Sequence, residues 1–280
     1  MPASRLSLCR SLLFLPASNP RAIVKARGLA ADMVILDLED AVREEDKEEA
    51  RAAAVAAMGQ GFPGKMTAVR INAAGSAWYG ADIVAIRDSA VQFIVVPKVE
   101  QAAQLRDAAR LAGKPLLAMI ETAGGVIGAA DAAHACAGLI AGTNDLAADL
   151  ALPPNAGREG LAYSLQAIVV AARAARIAAF DGVSNALDDE AGLEAQCREG
   201  RAYGFDGKSL IHPGQVDTAN RVFGPSQAEI DAALRLIAAA GGGAERFEGR
   251  MIEEVHVAQA EALLAKARHS PTLPSRRAPP

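Results

Sequence analysis

The sequence predicts a (β/α)8 barrel, the TIM-barrel architecture, with a C-terminal helical extension. Three observations point there: eight alternations of a short apolar run with a helix-forming stretch, a length of 280 residues, and charged residues gathered at one end of the apolar runs. Continuous apolar runs, in place of period-two alternation, describe strands covered on both faces, as in a parallel sheet packed under helices. A single barrel takes roughly 250 residues, so one domain and a tail account for the length. An open doubly wound sheet is the competing architecture, because strand order is not written in one sequence.

The elements follow in order. Strands are expected at 11–16, 33–38, 67–72, 93–98, 116–122, 138–142, 180–184 and 207–211, rich in Val, Ile, Leu and Phe. Helices are expected at 21–29, 44–58, 81–88, 101–111, 126–133, 161–177, 190–203 and 215–222, carried by Ala, Leu, Arg and Glu. The first strand is preceded by Leu6-Ser7-Leu8-Cys9, which has the look of a lipoprotein leader. Arg10 interrupts that apolar run and no small residue precedes Cys9, so 11–17 reads as a strand. In the fifth unit, Gly124-Gly125-Val126-Ile127-Gly128 lacks the dinucleotide-binding G-x-G-x-x-G spacing. It reads as a tight strand-to-helix turn in preference to a phosphate loop.

Past the barrel, a glycine-rich break at 239–244 leads into 251–268, whose apolar residues recur at helical spacing. The expected organisation is therefore a barrel over 1–225, a helical lid or subunit-contact segment over 226–268, and a proline-rich disordered tail over 269–280.

Composition narrows the partners. With 29 basic and 33 acidic residues and no basic stripe interleaved with aromatics, neither nucleic acid nor a membrane surface is an expected partner. A small anionic metabolite is compatible with local arginine clusters. Cys9, Cys136 and Cys197 are far apart and form no C-x-x-C pair, which argues against a disulfide framework or a zinc site and for a reducing cytoplasm.

The chemistry is expected at the strand ends, where barrel enzymes keep their sites. Asp37-Leu38-Glu39-Asp40 ends the second strand, Arg70 lies in the third, Lys98 ends the fourth, Glu121 the fifth, and Asp145 follows the sixth. Asp181 follows the seventh, and Lys208 and His212 lie on and after the eighth. Several acids without candidate His or Cys ligands suit a hard cation such as Mg²⁺, which takes one or two carboxylates and keeps waters. Glu121 and Asp145, from adjacent strands, supply such a pair; each alone reads equally as a cap or an ion-pair partner. Arg70, in an otherwise apolar run, either pairs with the acidic cluster or offers its fork to a carboxylate or enolate. No G-x-S-x-G elbow exists, and His134, His212, His256 and His269 share no motif, so a nucleophilic triad finds no support.

Taken together, the segments 10–16, 37–42, 69–72, Pro97-Lys98, Ile120-Glu121-Thr122-Ala123, Gly142-Thr143-Asn144-Asp145-Leu146 and 204–213 are similar to the citrate lyase beta-subunit-like family, within the HpcH/HpaI aldolase superfamily. The likeness covers about residues 10 to 223. It implies a Mg²⁺-dependent barrel, with Mn²⁺ as an alternative ion, that cleaves or forms 3-hydroxyacyl-CoA thioesters by aldol chemistry as a homotrimer. By the same resemblance Glu121 and Asp145 are metal ligands and Arg70 polarises the thioester carbonyl or carboxylate. Phe14, Arg21 and Lys25 contact CoA, and Asp37, Glu39, Asp40 and Lys98 stand around the substrate. A carboxylate from the C-terminal segment, often of a neighbouring subunit, completes the family's site; Glu253 in Gly249-Arg250-Met251-Ile252-Glu253 takes that place.

Two departures stand out. Ala17 replaces a glycine after Pro16, and Glu253 replaces an aspartate, adding a methylene where an offset of about 1 Å can cost roughly a hundredfold in rate. The expected reaction is retro-aldol cleavage to acetyl-CoA and a 2-oxo acid, with citramalyl-CoA preferred over malyl-CoA and citryl-CoA. Arg70→Ala is expected to lower turnover by about two orders of magnitude or more with little loss of folding. The alternatives are an aldolase of free hydroxy acids and a non-catalytic CoA-binding subunit.

Overall fold

In the computed structural model, residues 5–154, 156–241 and 243–269 are described. The apolar runs become eight strands, β1 (Ser11–Pro16), β2 (Met33–Asp37), β3 (Met66–Arg70), β4 (Phe93–Val96), β5 (Leu116–Ile120), β6 (Gly138–Ala141), β7 (Ala178–Asp181) and β8 (Gly207–Leu210). They close in sequence order, all parallel, with β1 pairing to both β2 and β8. Closure settles the choice against an open sheet.

Side chains alternate across each strand. Leu12, Phe14, Met33, Ile35, Met66, Ala68, Val95, Leu117, Met119, Ile140 and Phe180 point inward and fill the barrel. Leu13, Leu15, Val34, Leu36, Val69, Ile94, Val96, Ala118, Ile120 and Leu139 point outward and pack under the helices. The covering helices are α1 (Pro20–Ala26), α2 (Lys47–Gln60), α3 (Tyr79–Arg87), α4 (Ala102–Ala112), α5 (Ala123–Ala133), α6 (Thr143–Asp149), α7 (Ala162–Ala174), α8 (Glu190–Tyr203) and α9 (Val216–Phe223). Several starts are capped by side chains: Thr122 accepts from Gly125 N–H, and Asp189 from Gly192 N–H. Such caps are worth about 1 kcal/mol each.

The ladders stop one or two residues before most of the predicted strand ends. Asn72, Pro97, Lys98, Glu121, Thr122 and Ile211 lie beyond the strands, while Leu38, Ile71 and Gly142, also past the strand ends, each keep one last bond to the neighbouring strand, at the Arg70, Val95 and Ile120 carbonyls. The chain leaves the sheet at the charged and turn residues that follow, so the apolar run overstates the strand. The seventh strand begins two residues early, because Ala178 and Ala179 are poor strand formers that burial between neighbours nevertheless keeps extended.

Gly125 and Gly128 let α5 approach the β4–α4 connection. A Cβ on Gly125 would lie 2.6 Å from the Val99 carbonyl oxygen, and one on Gly128 would collide with the Glu100 carbonyl. The tight-turn reading of this stretch accounts for its glycines.

Beyond the barrel, the chain forms α10 (Gln227–Ala239), a hairpin of β9 (Glu245–Phe247) and β10 (Arg250–Ile252), and α11 (Glu254–His269). The expected helical segment over 226–268 contains α10, opened by a Ser226/Glu229 capping box, but the helix expected from 251 takes in Met251 and Ile252, which belong to the hairpin's second strand. Helix α11 packs on α10 and on the turn Arg5–Leu8, and Lys266 donates to the Asp206 carbonyl, just before β8. These contacts put α11 at the amino-terminal end of the barrel. The proline-rich tail over 270–280 lies outside the described residues. Among those described, no helix is long and apolar enough to cross a membrane.

Candidate active site

Asp37, Arg70 and Glu121 each fall two residues after an inward-pointing side chain, Ile35, Ala68 and Met119, so the pleat that fills the barrel also aims these charges into its mouth. They line a cavity of about 360 Å³ together with Phe14, Pro16, Asp40, Asn144, Asp145 and an apolar wall that includes Met119, Val183 and Ile211.

Arg70 is the hub. Its Nε and Nη2 donate to Asp37 Oδ1 and Oδ2, both at 2.6 Å, a bidentate pair. Its Nη1 lies 3.1 Å from Glu39 Oε2 and 3.5 Å from Asp40 Oδ2, and the guanidinium sits 5.6 Å from the Phe14 ring centroid. Burial works against the charge, but the bonds to Asp37 and the nearby carboxylates more than offset it and raise the Arg70 pKa. Asp37 in turn accepts from Glu39 N–H and Ala41 N–H, which shapes the loop carrying Glu39 and Asp40. Removing Arg70 leaves the buried Asp37 with these two N–H donors but no cation, at a cost of up to roughly 3–5 kcal/mol. Against the sequence expectation, Arg70→Ala is therefore predicted to cost stability as well as turnover.

Glu121 is 3% exposed and accepts from the Lys98 backbone N–H at 2.7 Å. A Cβ on Gly142 would collide with its side chain, so that glycine makes room for the carboxylate. Burial pushes Glu121 up to about 7, against the pull of the Lys98 N–H and Arg70, and Asp145 and Asp40 push it further the same way. Glu39 is also pushed up to about 7 by burial, and its oxygens have only ion-pair contacts, to Arg70 Nη1 and Lys98 Nζ, with no aligned hydrogen bond. Lys98 Nζ lies 3.5 Å from Glu39 Oε1 and 3.8 Å from Asp145 Oδ2.

Buried oxygens without an aligned hydrogen bond, in a group with more carboxylates than cations, fit a hard divalent ion. Among the described residues no group of three or more His, Cys, Asp or Glu converges tightly enough to hold a metal by itself. Glu121 and Asp145 would leave positions for water and substrate, the usual pattern for Mg²⁺.

Comparison with known proteins bears on this arrangement. Residues 10–213 match the family described as HpcH/HpaI aldolase/citrate lyase. The chain belongs to that family. Among its relatives, a (3S)-malyl-CoA thioesterase from Cereibacter sphaeroides is 43% identical over 268 residues, covering 92% of this chain and 94% of its own. A citrate lyase subunit beta from Leuconostoc mesenteroides subsp. cremoris is 34% identical, covering 94% of this chain and 95% of its own. The crystal structure of CitE from Mycobacterium tuberculosis in complex with magnesium, acetoacetate and coenzyme A superposes with a TM-score of 0.81 at 34% identity, covering 94% of this chain and 100% of that one.

Within this family member, the structure brings Phe14, Asp37, Asp40, Arg70, Glu121 and Asp145 to one cavity, with Glu39 and Lys98 in contact with that group. Arg21 and Lys25 are exposed on α1, outside the lining. Glu253 follows β10, also outside the lining, and its N–H donates to His256 Nδ1. Asp145 sits in the first turn of α6, whose N-cap position is Gly142.

Asp181 and Lys208 do not belong with the site charges. Both are fully buried with the outward pleat, where Lys208 Nζ bonds Asp181 at 2.9 Å and Arg158 joins from the chain before α7. Strand parity separates them: Asp181 directly follows the inward Phe180, and Lys208 shares its face with the outward Leu210. His212 fixes the last turn, its Nδ1 accepting from Gly214 N–H.

One supporting residue escaped sequence reasoning altogether. Lys47 is buried on α2 and donates to the carbonyls of Leu38 and Glu39 and to Asn72 Oδ1, at 2.6–2.7 Å. Asn72 is held by Asp82, and Asp82 by Arg51. This network clamps the acidic loop from behind. In the sequence Lys47 is one of many charges in Glu44-Glu45-Asp46-Lys47-Glu48-Glu49, with nothing to single it out.

Proposed function

We propose that the protein is a Mg²⁺-dependent carbon-carbon lyase acting on a carboxylated 3-hydroxyacyl-CoA thioester and releasing acetyl-CoA and a 2-oxo acid. The observation that carries this reading is the convergence of Glu121, Asp145 and Arg70 on one cavity, with carboxylates in excess of cations. The magnesium, coenzyme A and acetoacetate bound by the related CitE support it. Held by Glu121 and Asp145, Mg²⁺ would supply Lewis-acid polarisation of the oxo-acid carbonyl.

The chain's own groups do the rest. Arg70 spends Nε and Nη2 on Asp37, so Nη1, now shared among Glu39 Oε2 at 3.1 Å, Asp40 Oδ2 at 3.5 Å and Met119 Sδ at 3.6 Å, is the donor that would turn to negative charge on the thioester oxygen as the enolate forms. Loss of such a donor typically costs about 3–4 kcal/mol of barrier. Asp40, an exposed carboxylate on the cavity wall, is the proton acceptor within one chain; a second copy of the chain would be needed to bring Glu253 to the same place. Arg21 and Lys25, exposed on the helix that leaves the top of β1, suit CoA phosphates, and Phe14 lies deeper, nearer the thioester.

The 43% identical relative makes malyl-CoA the first substrate to test, ahead of citramalyl-CoA and citryl-CoA. The substrates differ by groups worth only about 1–3 kcal/mol in an apolar wall. The same relative favours a second reading, hydrolysis of the thioester at this site. Products decide between them: with malyl-CoA and Mg²⁺, a lyase yields acetyl-CoA and glyoxylate, whereas a thioesterase yields malate and free CoA thiol. Turnover that survives EDTA, or no consumption of any of the three thioesters, would refute the metal-dependent reading.

A further inference from the structure

Lys98 is a non-glycine residue held at φ 51°, in the left-handed region that side chains disfavour. The surrounding structure fixes it there from both sides. Its N–H donates to Glu121 Oε1, its carbonyl accepts from Gln104 Nε2 at 3.3 Å, and the next residue, Val99, bonds back to the Met119 carbonyl. This turn sends the side chain across the acidic group, where Nζ stands between Glu39 and Asp145 without joining the cavity lining.

We propose that Lys98 is a positioning residue that acts as the site's internal counter-ion. Its amide fixes Glu121, and its ammonium competes with the divalent cation for Asp145, setting how tightly that cation is held. The proposal rests on reading Glu121 and Asp145 as the cation's ligands. Two opposed effects follow from Coulomb attraction at these separations. Without the ammonium the carboxylates hold a divalent ion more tightly, while the site, more negative by one charge, holds an anionic substrate more weakly. A merely structural lysine would move neither quantity in that pattern.

The test is Mn²⁺ and Mg²⁺ titration by calorimetry on the full-length protein, with Lys98→Met, Lys98→Gly, Lys98→Arg and Glu121→Gln beside the wild type. Lys98→Gly keeps the amide in a conformation that glycine adopts freely, so it separates backbone from ammonium and stands in should the Met variant not fold. The Met and Gly variants are expected to bind the ion about tenfold tighter and to raise KM for the anionic substrate at least severalfold, with Lys98→Arg near the wild type. Equal or weaker ion binding by both Met and Gly variants overturns the counter-ion. If Glu121→Gln binds the ion as well as the wild type does, the metal reading itself fails and the counter-ion falls with it.

Discussion

At the amino-terminal end of the barrel, Arg10 is 1% exposed and gives Asp32 three hydrogen bonds, from its backbone N–H, Nε and Nη2, at 2.7–2.9 Å. At the carboxyl-terminal end, Asp37, Glu39, Asp40, Glu121 and Asp145 share Arg70 and Lys98, and neither buried oxygen of Glu39 receives an aligned hydrogen bond. Both ends bury charge in the same scaffold. Where cation and anion are matched one to one, the arrangement locks the fold. Where anions exceed cations, folding alone leaves the group unbalanced, and a ligand that brings positive charge completes it.

The contrast predicts that substitutions at the two ends part company. Glu121→Ala should bring metal-dependent turnover to background, a loss of about a thousandfold or more, equivalent to roughly 4 kcal/mol. The melting temperature of the metal-free protein should hold or rise, because a surplus charge is gone. A melting temperature that falls along with activity would make Glu121 a structural residue. Arg10→Met should do the reverse, costing about 3–5 kcal/mol in denaturant unfolding by stranding Asp32, with turnover per folded molecule within about twofold of wild type.

Proton linkage gives a third separation. Glu39 and Glu121, ordinarily near 4.5, stand at about 7 in the metal-free fold because of burial. Between these values the native state binds more protons than the unfolded chain, so stability is highest at the acidic side and falls as pH rises toward 7. In EDTA, unfolding between pH 5 and pH 8 should show a decline on the order of 3 kcal/mol, and Glu39→Gln should flatten part of it. A stability that rises over that range would contradict the surplus-charge picture. Least in size, Gly142→Ala should lower turnover about a hundredfold and cost some stability in unfolding, because its Cβ would collide with the Glu121 Cβ and rotation of the carboxylate alone cannot relieve that clash.

Much of the fold was legible because parallel strands buried on both faces leave unbroken apolar runs, and eight such runs with helices between them leave few architectures. Glu121, Arg70 and Asp37 were legible for a related reason: each continues the inward parity of its own strand by two residues. The same parity, applied to Asp181 and Lys208, would have sent them outward. Lys47 was hidden because its three acceptors come from residues 38, 39 and 72, brought together only by the closed sheet. The hairpin over 245–252 was hidden because its strands are three residues each, too short for periodicity to register.

The sequence by itself determined the class of fold and which strand ends carry charge, since hydrophobic period and residue type are local properties of the chain. Only the tertiary structure decided how those charges divide. It matched Arg10 to Asp32 and Lys208 to Asp181, spent the Arg70 fork on Asp37, and left Glu39, Glu121 and Asp145 facing one lysine held at a positive φ. Ion pairing depends on distances of a few ångströms between residues tens of positions apart, and the chain acquires those distances only when the barrel closes.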